Sequence, residues 1–246
     1  DGKLIGTLAL ARFFLPGVIA GVVNPDSERM PETTWDLVLL AVVAIIGIVG
    51  QLAVLRLALG TRSSVGEAIG HGLQRAPAYI AASLIWLSPI LIAGYFLAGD
   101  ALRSPESATP GSLLAVLVLL IVLLVVSVRM LMTSSVATAE RAGPIDILKR
   151  SWAMTSGHWW RLFGFLVVFL IVALVLLGAA GAIVGVIGGL LFGPVEPMTV
   201  GALFVAVFVE LVTTIVTVGF LVMLARIYTQ LAAPAQADVS VPSSGT

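Results

Sequence analysis

Polar residues in this chain are confined to short breaks between long apolar stretches. Six of these stretches have the length a helix needs to cross a hydrocarbon core of roughly 30 Å at about 1.5 Å per residue. The pattern predicts spans at about residues 4–23, 35–59, 78–98, 112–134, 161–177 and 200–228. The fourth is the plainest, since residues 113–126 contain no polar side chain. Trp35 stands where an interfacial aromatic would anchor the second span, and Gly60 and Thr61 end it. Pro89, near the middle of the third, predicts a kink and not a break, because neighbouring helices can satisfy the freed carbonyl. Residues 159–192 number 34, and as one straight helix they would run about 51 Å. A span over 161–177 is therefore expected to pass into a bent or partly unwound glycine-rich extension ending at 193. There Gly181, Gly185, Gly189 and Gly193 recur every four residues on one face, where missing side chains let another helix come close. That ridge serves either a contact with another subunit or packing against the chain's own helices.

Two of the breaks carry a helical period of their own. Val65, Ala68, Ile69, Gly72, Leu73 and Ala76 fall at i, i+3, i+4 and i+7 spacing, and Ile145, Leu148 and Trp152 repeat it. Amphipathic surface helices, or elbows, are expected over 64–76 and 144–156, each lying at the headgroup boundary. Arg62, Arg75, Lys149, Arg150, Trp152, Trp159, Trp160 and Arg161 are the candidates for contact with lipid headgroups. From Gly60 and again from Glu140 the order is the same: surface helix, span, acidic loop, span. The chain is thus an all-α polytopic membrane protein of repeated units, with residues 1–231 as a single transmembrane domain. The units share one orientation, unlike the inverted repeats of many secondary transporters. Residues 232–246, rich in Ala, Pro and Ser, are expected to be a disordered tail.

Charge then orients the spans. One set of breaks holds Lys3, Arg56, Arg62, Arg75, Arg129, Arg141, Lys149, Arg150, Arg161 and Arg226 against five acids. The other holds Arg29 and Arg103 against Asp26, Glu28, Glu32, Asp36, Asp100, Glu106 and Glu196. Because loops rich in Lys and Arg stay cytoplasmic, both termini and both elbows are expected on the cytoplasmic side of a bacterial inner membrane. Composition agrees: 59% of residues are hydrophobic and 11% charged, against about 25% charged in a typical soluble domain. Residues 4–23 have no cleavage-site pattern after them and read as a span whose preceding segment is missing, not as a signal peptide.

The search for chemistry returns little. The chain has no cysteine, which removes disulfides, thiolate nucleophiles and iron–sulfur ligation. Its two histidines, His71 and His158, have no second ligand at metal spacing. No nucleophile elbow, phosphate-binding loop or dinucleotide fingerprint is present. The expectation is a protein that is not an enzyme, takes no metal or cofactor and binds no nucleic acid. Two intramembrane charges stand out, Glu210 near the middle of the sixth span, followed by Thr213, Thr214 and Thr217, and Arg12 in the first. A bare carboxylate at that depth is expensive. Either the two form a buried pair or ion relay, or Glu210 is neutral and hydrogen-bonded while Arg12 snorkels towards the headgroups.

The stretch VATAERAGPIDILKRSWAMTSGHWWRLF at 136–163 carries Glu140, Gly143, Pro144, Ser151, Trp152, Gly157 and Trp160. In this it resembles bacterial membrane proteins related to the membrane domain of glycerophosphoryl diester phosphodiesterases, as do SVGEAIGHGLQRAP at 64–77 and ARIYTQL at 225–231. Some members of that group are fused to a soluble phosphodiesterase domain. This chain has none, so the resemblance implies a fold and a membrane location but no activity. Two functions are expected to compete: a non-catalytic accessory or scaffold subunit that packs against partner membrane proteins and lipid, and a lipid-handling or small-solute transporter using Glu210 and Arg12.

Overall fold

The computed structural model describes residues 18, 34–60, 63–103, 109–193, 196 and 198–237. Within them run seven bounded helices and no strand: α1 (Thr34–Ala58), α2 (Val65–Arg103), α3 (Pro110–Arg129), α4 (Thr133–Ala139), α5 (Pro144–Thr155), α6 (Trp159–Phe192) and α7 (Val200–Ala237). Five segments are long and apolar enough to cross a membrane: Ala41–Ala58, Val65–Leu97, Pro110–Ala139, Trp159–Phe192 and Val200–Ala232. The all-helical, multi-pass character expected from the sequence is therefore present. Apart from residue 18, the expected first span, with Arg12, lies outside the described residues, as do Arg62 and the end of the tail.

Helix starts follow from local chemistry. At α2, Glu67 N–H donates to Ser64 Oγ (3.2 Å) and Ser64 N–H donates to Glu67 Oε2 (2.8 Å), a reciprocal capping box. At α3, Ser112 N–H donates to Thr109 Oγ1 and Thr109 N–H donates to Ser112 Oγ, with Pro110 in the first turn. The turn after α5 passes through Gly157 at φ 79°, and α6 ends on Gly193 at φ 77°. Both are left-handed positions, where an L side chain is strained.

Several boundaries depart from expectation. The surface helix over 64–76 is not separate from the third span, because α2 runs unbroken for 39 residues through Pro77 and Pro89. A proline removes one intrahelical hydrogen bond and bends a helix, but does not end it where the flanking residues are good helix formers. Gly157 stands 80 positions after Pro77, and there the chain does break, so α5 is a helix distinct from α6. In the segment of the fourth span the helix α3 ends at Arg129; a turn at Met130 follows, and residues 133–139 form the short α4. The glycine-rich extension is not unwound, since α6 is one helix of 34 residues. Hydrocarbon offers a freed backbone group no partner, so the intrahelical ladder outweighs the weak helix propensity of glycine. The tail likewise does not begin at 232: α7 continues to Ala237 through an alanine-rich segment.

The chain groups into two compact units, one made of the described residues up to Ala76 and from Val167 onward, the other of Pro77–Leu166. In the first unit α1 packs on α7. The C-terminal half of α1 is enclosed all round, with Leu52, Ala53, Val54 and Leu55 fully buried in succession. α2 approaches it so closely that a Cβ on Gly72 would stand 2.6 Å from the Val49 carbonyl oxygen. α7 contributes Thr214, Leu221, Leu224, Ala225 and Tyr228 to the buried set, at helical spacing. In the second unit α5 packs on α3 and α4, and burial centres on Met132, Val136, Ala137 and Ile147. Long apolar side chains in the spans are instead exposed, among them Leu91, Phe96, Leu114, Val168, Val175 and Leu190. Inverted placement of this kind fits helices whose solvent is hydrocarbon.

Candidate functional site

The residues of the sequence motif converge on the elbow formed by the end of α3, α4 and α5. Ser151 is fully buried and donates its hydroxyl to the Arg129 carbonyl oxygen at 2.9 Å, while Thr133 Oγ1 lies 3.4 Å from Ser151 Oγ. Thr155 Oγ1 reaches the same carbonyl at 3.3 Å and its own helix at the Ser151 oxygen, 3.0 Å. Arg129 is the last residue of α3, so its carbonyl has lost its helical partner, and these hydroxyls replace it. Glu140 pairs with Arg150 through Nε to Oε1 at 3.2 Å, tying the end of α4 to α5. Gly143 and Pro144 start α5, and Gly157 turns the chain out of it. Glu140, Gly143, Pro144, Ser151 and Gly157 of the motif thus each have a part in building the elbow.

What the elbow presents is an aromatic and cationic surface. The Arg129 guanidinium lies over the Trp152 ring at 4.9 Å from its centroid, a contact worth about 0.5–2 kcal/mol. Arg129 Nη1 is buried and has no hydrogen-bond partner among the described residues. Beside Trp152 opens a groove of about 340 Å³ lined by Met130, Leu148, Lys149, Trp152 and Ala153. At the start of α6, Trp159 stacks on Phe163 with centroids 5.1 Å apart, meets Trp160 edge-on at 4.7 Å, and donates Nε1–H to the Val125 carbonyl at 3.5 Å. Trp160 is 77% exposed, and Lys149 and Arg161 are exposed. Arg75, on α2, belongs to the other unit.

Elsewhere the candidate residues fall apart or take other roles. Gly181, Gly185 and Gly189 of α6 would each accept a Cβ with nothing within 4 Å. Packing of that ridge against the chain's own helices is therefore not found among the described residues. Gly188, which the four-residue period passes over, is the glycine of α6 that does pack, since a Cβ on it would stand 3.0 Å from Val205 Cγ2 and 3.5 Å from Phe204 Cδ1. Gly193 is the left-handed residue that stops α6, not a member of the ridge. Glu210 is half-buried on α7 and has no hydrogen-bond or ion-pair partner among the described residues. One turn on, Thr214 Oγ1 is buried and also without a partner there, whereas Thr213 Oγ1 bonds back to the Val209 carbonyl at 2.9 Å. Among the described residues no three His, Asp or Glu side chains stand close enough to hold a metal ion.

In the sequence pattern Arg129 is one cation among ten, and of the hydroxyls at 133–138 only Thr133 and Ser134 fall within the span expected over 112–134. The available signal was a cation closing an apolar run and followed at once by Thr133, Ser134, Ser135 and Thr138, a density of hydroxyls out of place in hydrocarbon. Comparison with curated proteins and with solved structures gives no match in either case. A family model described as a domain of unknown function, DUF7847, matches residues 4–231. That match takes in every helix from α1 to α6, the elbow and nearly all of α7, and the chain belongs to the DUF7847 family.

Proposed function

We propose that the chain is a non-catalytic multi-pass protein of the bacterial inner membrane, with both termini cytoplasmic, that acts as an accessory or scaffold subunit for other membrane proteins. The observation that carries this reading is the open ridge of α6: Gly181, Gly185 and Gly189 share a face of a membrane-length helix and meet no described side chain. Without a hydrophobic driving force in lipid, helix association depends on close backbone approach, and glycines at this spacing permit it. The elbow supports the reading from the other end of α6. Trp152, Trp159, Trp160, Lys149 and Arg161 form the mixed aromatic and cationic surface that suits a headgroup layer. Kinship with the membrane domains of glycerophosphoryl diester phosphodiesterases, inferred from the motif between Glu140 and Trp160, accords with the same location.

The test is native migration of the full chain in mild detergent. Wild type is expected to run in a complex larger than one chain, and Gly185→Leu to release it, while Gly164→Leu, about 30 Å away on the same helix and equally open, leaves it intact. A wild type that migrates alone, or a Gly185→Leu variant with unchanged partners, would refute the subunit role.

A transport reading rests on a different observation, the Thr214 hydroxyl, which has no partner among the described residues and lies one turn from Glu210 within a candidate span. Under it, protein reconstituted into vesicles would pass protons to an entrapped pH dye, and Glu210→Gln would stop the flux. Under the subunit reading neither protein carries any.

A further inference from the structure

The groove beside Trp152 has a composition that neither the fold nor the subunit role requires. Its walls are the apolar side chains of Met130, Leu148, Trp152 and Ala153, and its one ionisable lining residue is Lys149. At about 340 Å³ it is too small for a polypeptide helix, roughly 10 Å across with its side chains, but falls within the range of roughly 300–1,000 Å³ seen for small-molecule sites. The charges around it leave a positive excess. Arg129 stacks on the Trp152 ring, and its Nη1 is buried with no hydrogen-bond partner among the described residues. Arg150 is already paired with Glu140. The acid closest to Lys149 along α5 is Asp146, but the two form no ion pair. The Asp146 carboxylate instead turns back to the start of the helix, where a Cβ on Gly143 would lie 3.6 Å from its Oδ2. Among its apolar side chains α3 exposes Leu117, Ile121, Leu124 and Val125.

An anion joined to long hydrocarbon chains matches these features together. We propose that the groove holds the headgroup of a single anionic phospholipid. The Lys149 ammonium meets the phosphate, the Trp152 indole forms the wall beside the glycerol, and the acyl chains follow the exposed face of α3. Arg129 is a positioning residue that fixes the Trp152 ring and adds positive potential. The site rests on α5 lying at the bilayer surface, not on the presence of a protein partner, so loss of the complex in the migration test would leave it standing.

The full chain is reconstituted into phosphatidylcholine nanodiscs containing a minor fraction of phosphatidylglycerol, released into mild detergent, and its bound lipids are counted by native mass spectrometry. Wild type is expected to retain one phosphatidylglycerol in preference to phosphatidylcholine. Lys149→Gln should weaken that retention about fivefold, the factor that corresponds to about 1 kcal/mol for one lysine at the surface. Lys149→Arg should restore it, and Arg141→Gln, at an exposed cation outside the groove, should leave it unchanged. Retention unaffected by Lys149→Gln would overturn the site, and equal losses from Lys149→Gln and Arg141→Gln would replace it with diffuse attraction. Displacement of the lipid by millimolar glycerol phosphate would reassign the groove to a soluble anion.

Discussion

Ser151 is buried in the elbow, and its hydroxyl has two partners: the Arg129 carbonyl that it donates to and the Thr133 hydroxyl. Removing it strands a helix-end carbonyl whose remaining support is Thr155 at 3.3 Å. Ser151→Ala should therefore lower stability by about 1–2 kcal/mol, read as a fall of several degrees in the apparent Tm of the detergent-solubilised chain. An unchanged Tm would mean that Thr155 alone satisfies the carbonyl. Gly157 makes a sharper case, because φ 79° is a backbone state that costs an ordinary L residue about 1–2 kcal/mol. Gly157→Ala should lose that much, and Gly157→Asn, whose side chain tolerates the left-handed region, clearly less; equal losses would point to a cause other than backbone strain. Both residues stood out in the sequence as parts of a motif, but nothing in the motif says what they do. Their roles depend on a carbonyl 22 positions away and on a turn angle, neither of which residue identity encodes.

At the scale of elements, the length of the apolar stretches located each of the five described segments long and apolar enough to cross a membrane, since hydrocarbon burial sets length and composition together. It failed at the joints. Pro77 and Gly157 stand 80 positions apart, each between an expected surface helix and the span expected to follow it. The chain breaks only at Gly157, where a left-handed residue turns it, while Pro77 leaves α2 continuous. The capping box of Ser64 and Glu67 marks where α2 begins but says nothing of where it stops. The same helix offers a test of close approach. Gly72→Ala would drive a Cβ to within 2.6 Å of the Val49 carbonyl oxygen, so it should destabilise the contact between α1 and α2. Gly70→Ala, on the same helix with open space around it, should instead be neutral or stabilising by up to about 1 kcal/mol, because alanine is the better helix former. Apparent Tm values for the pair moving in the same direction would contradict the packing described for Gly72.

The whole molecule depends on how its helices thread the bilayer, and α6 makes that measurable without appeal to charge. Its 34 residues span about 51 Å, well beyond the hydrocarbon thickness, so the segments flanking it must face opposite sides if it crosses. Lys149 lies before it and Glu196 after it, both exposed. α3, with 20 residues, is about 30 Å long and should place Thr109 opposite Lys149, and hence on the side of Glu196. The sequence contains no cysteine, so Thr109→Cys, Lys149→Cys and Glu196→Cys each provide one thiol without further engineering. In sealed inverted vesicles a membrane-impermeant maleimide should label Lys149→Cys at once, and the other two only after the bilayer is opened with detergent. Right-side-out vesicles should give the reverse. If Lys149→Cys and Glu196→Cys were labelled from the same side, α6 would not cross. The elbow and the acidic loop would then share a face, and a ridge of glycines on a helix lying outside hydrocarbon would lose its meaning as a helix-packing surface.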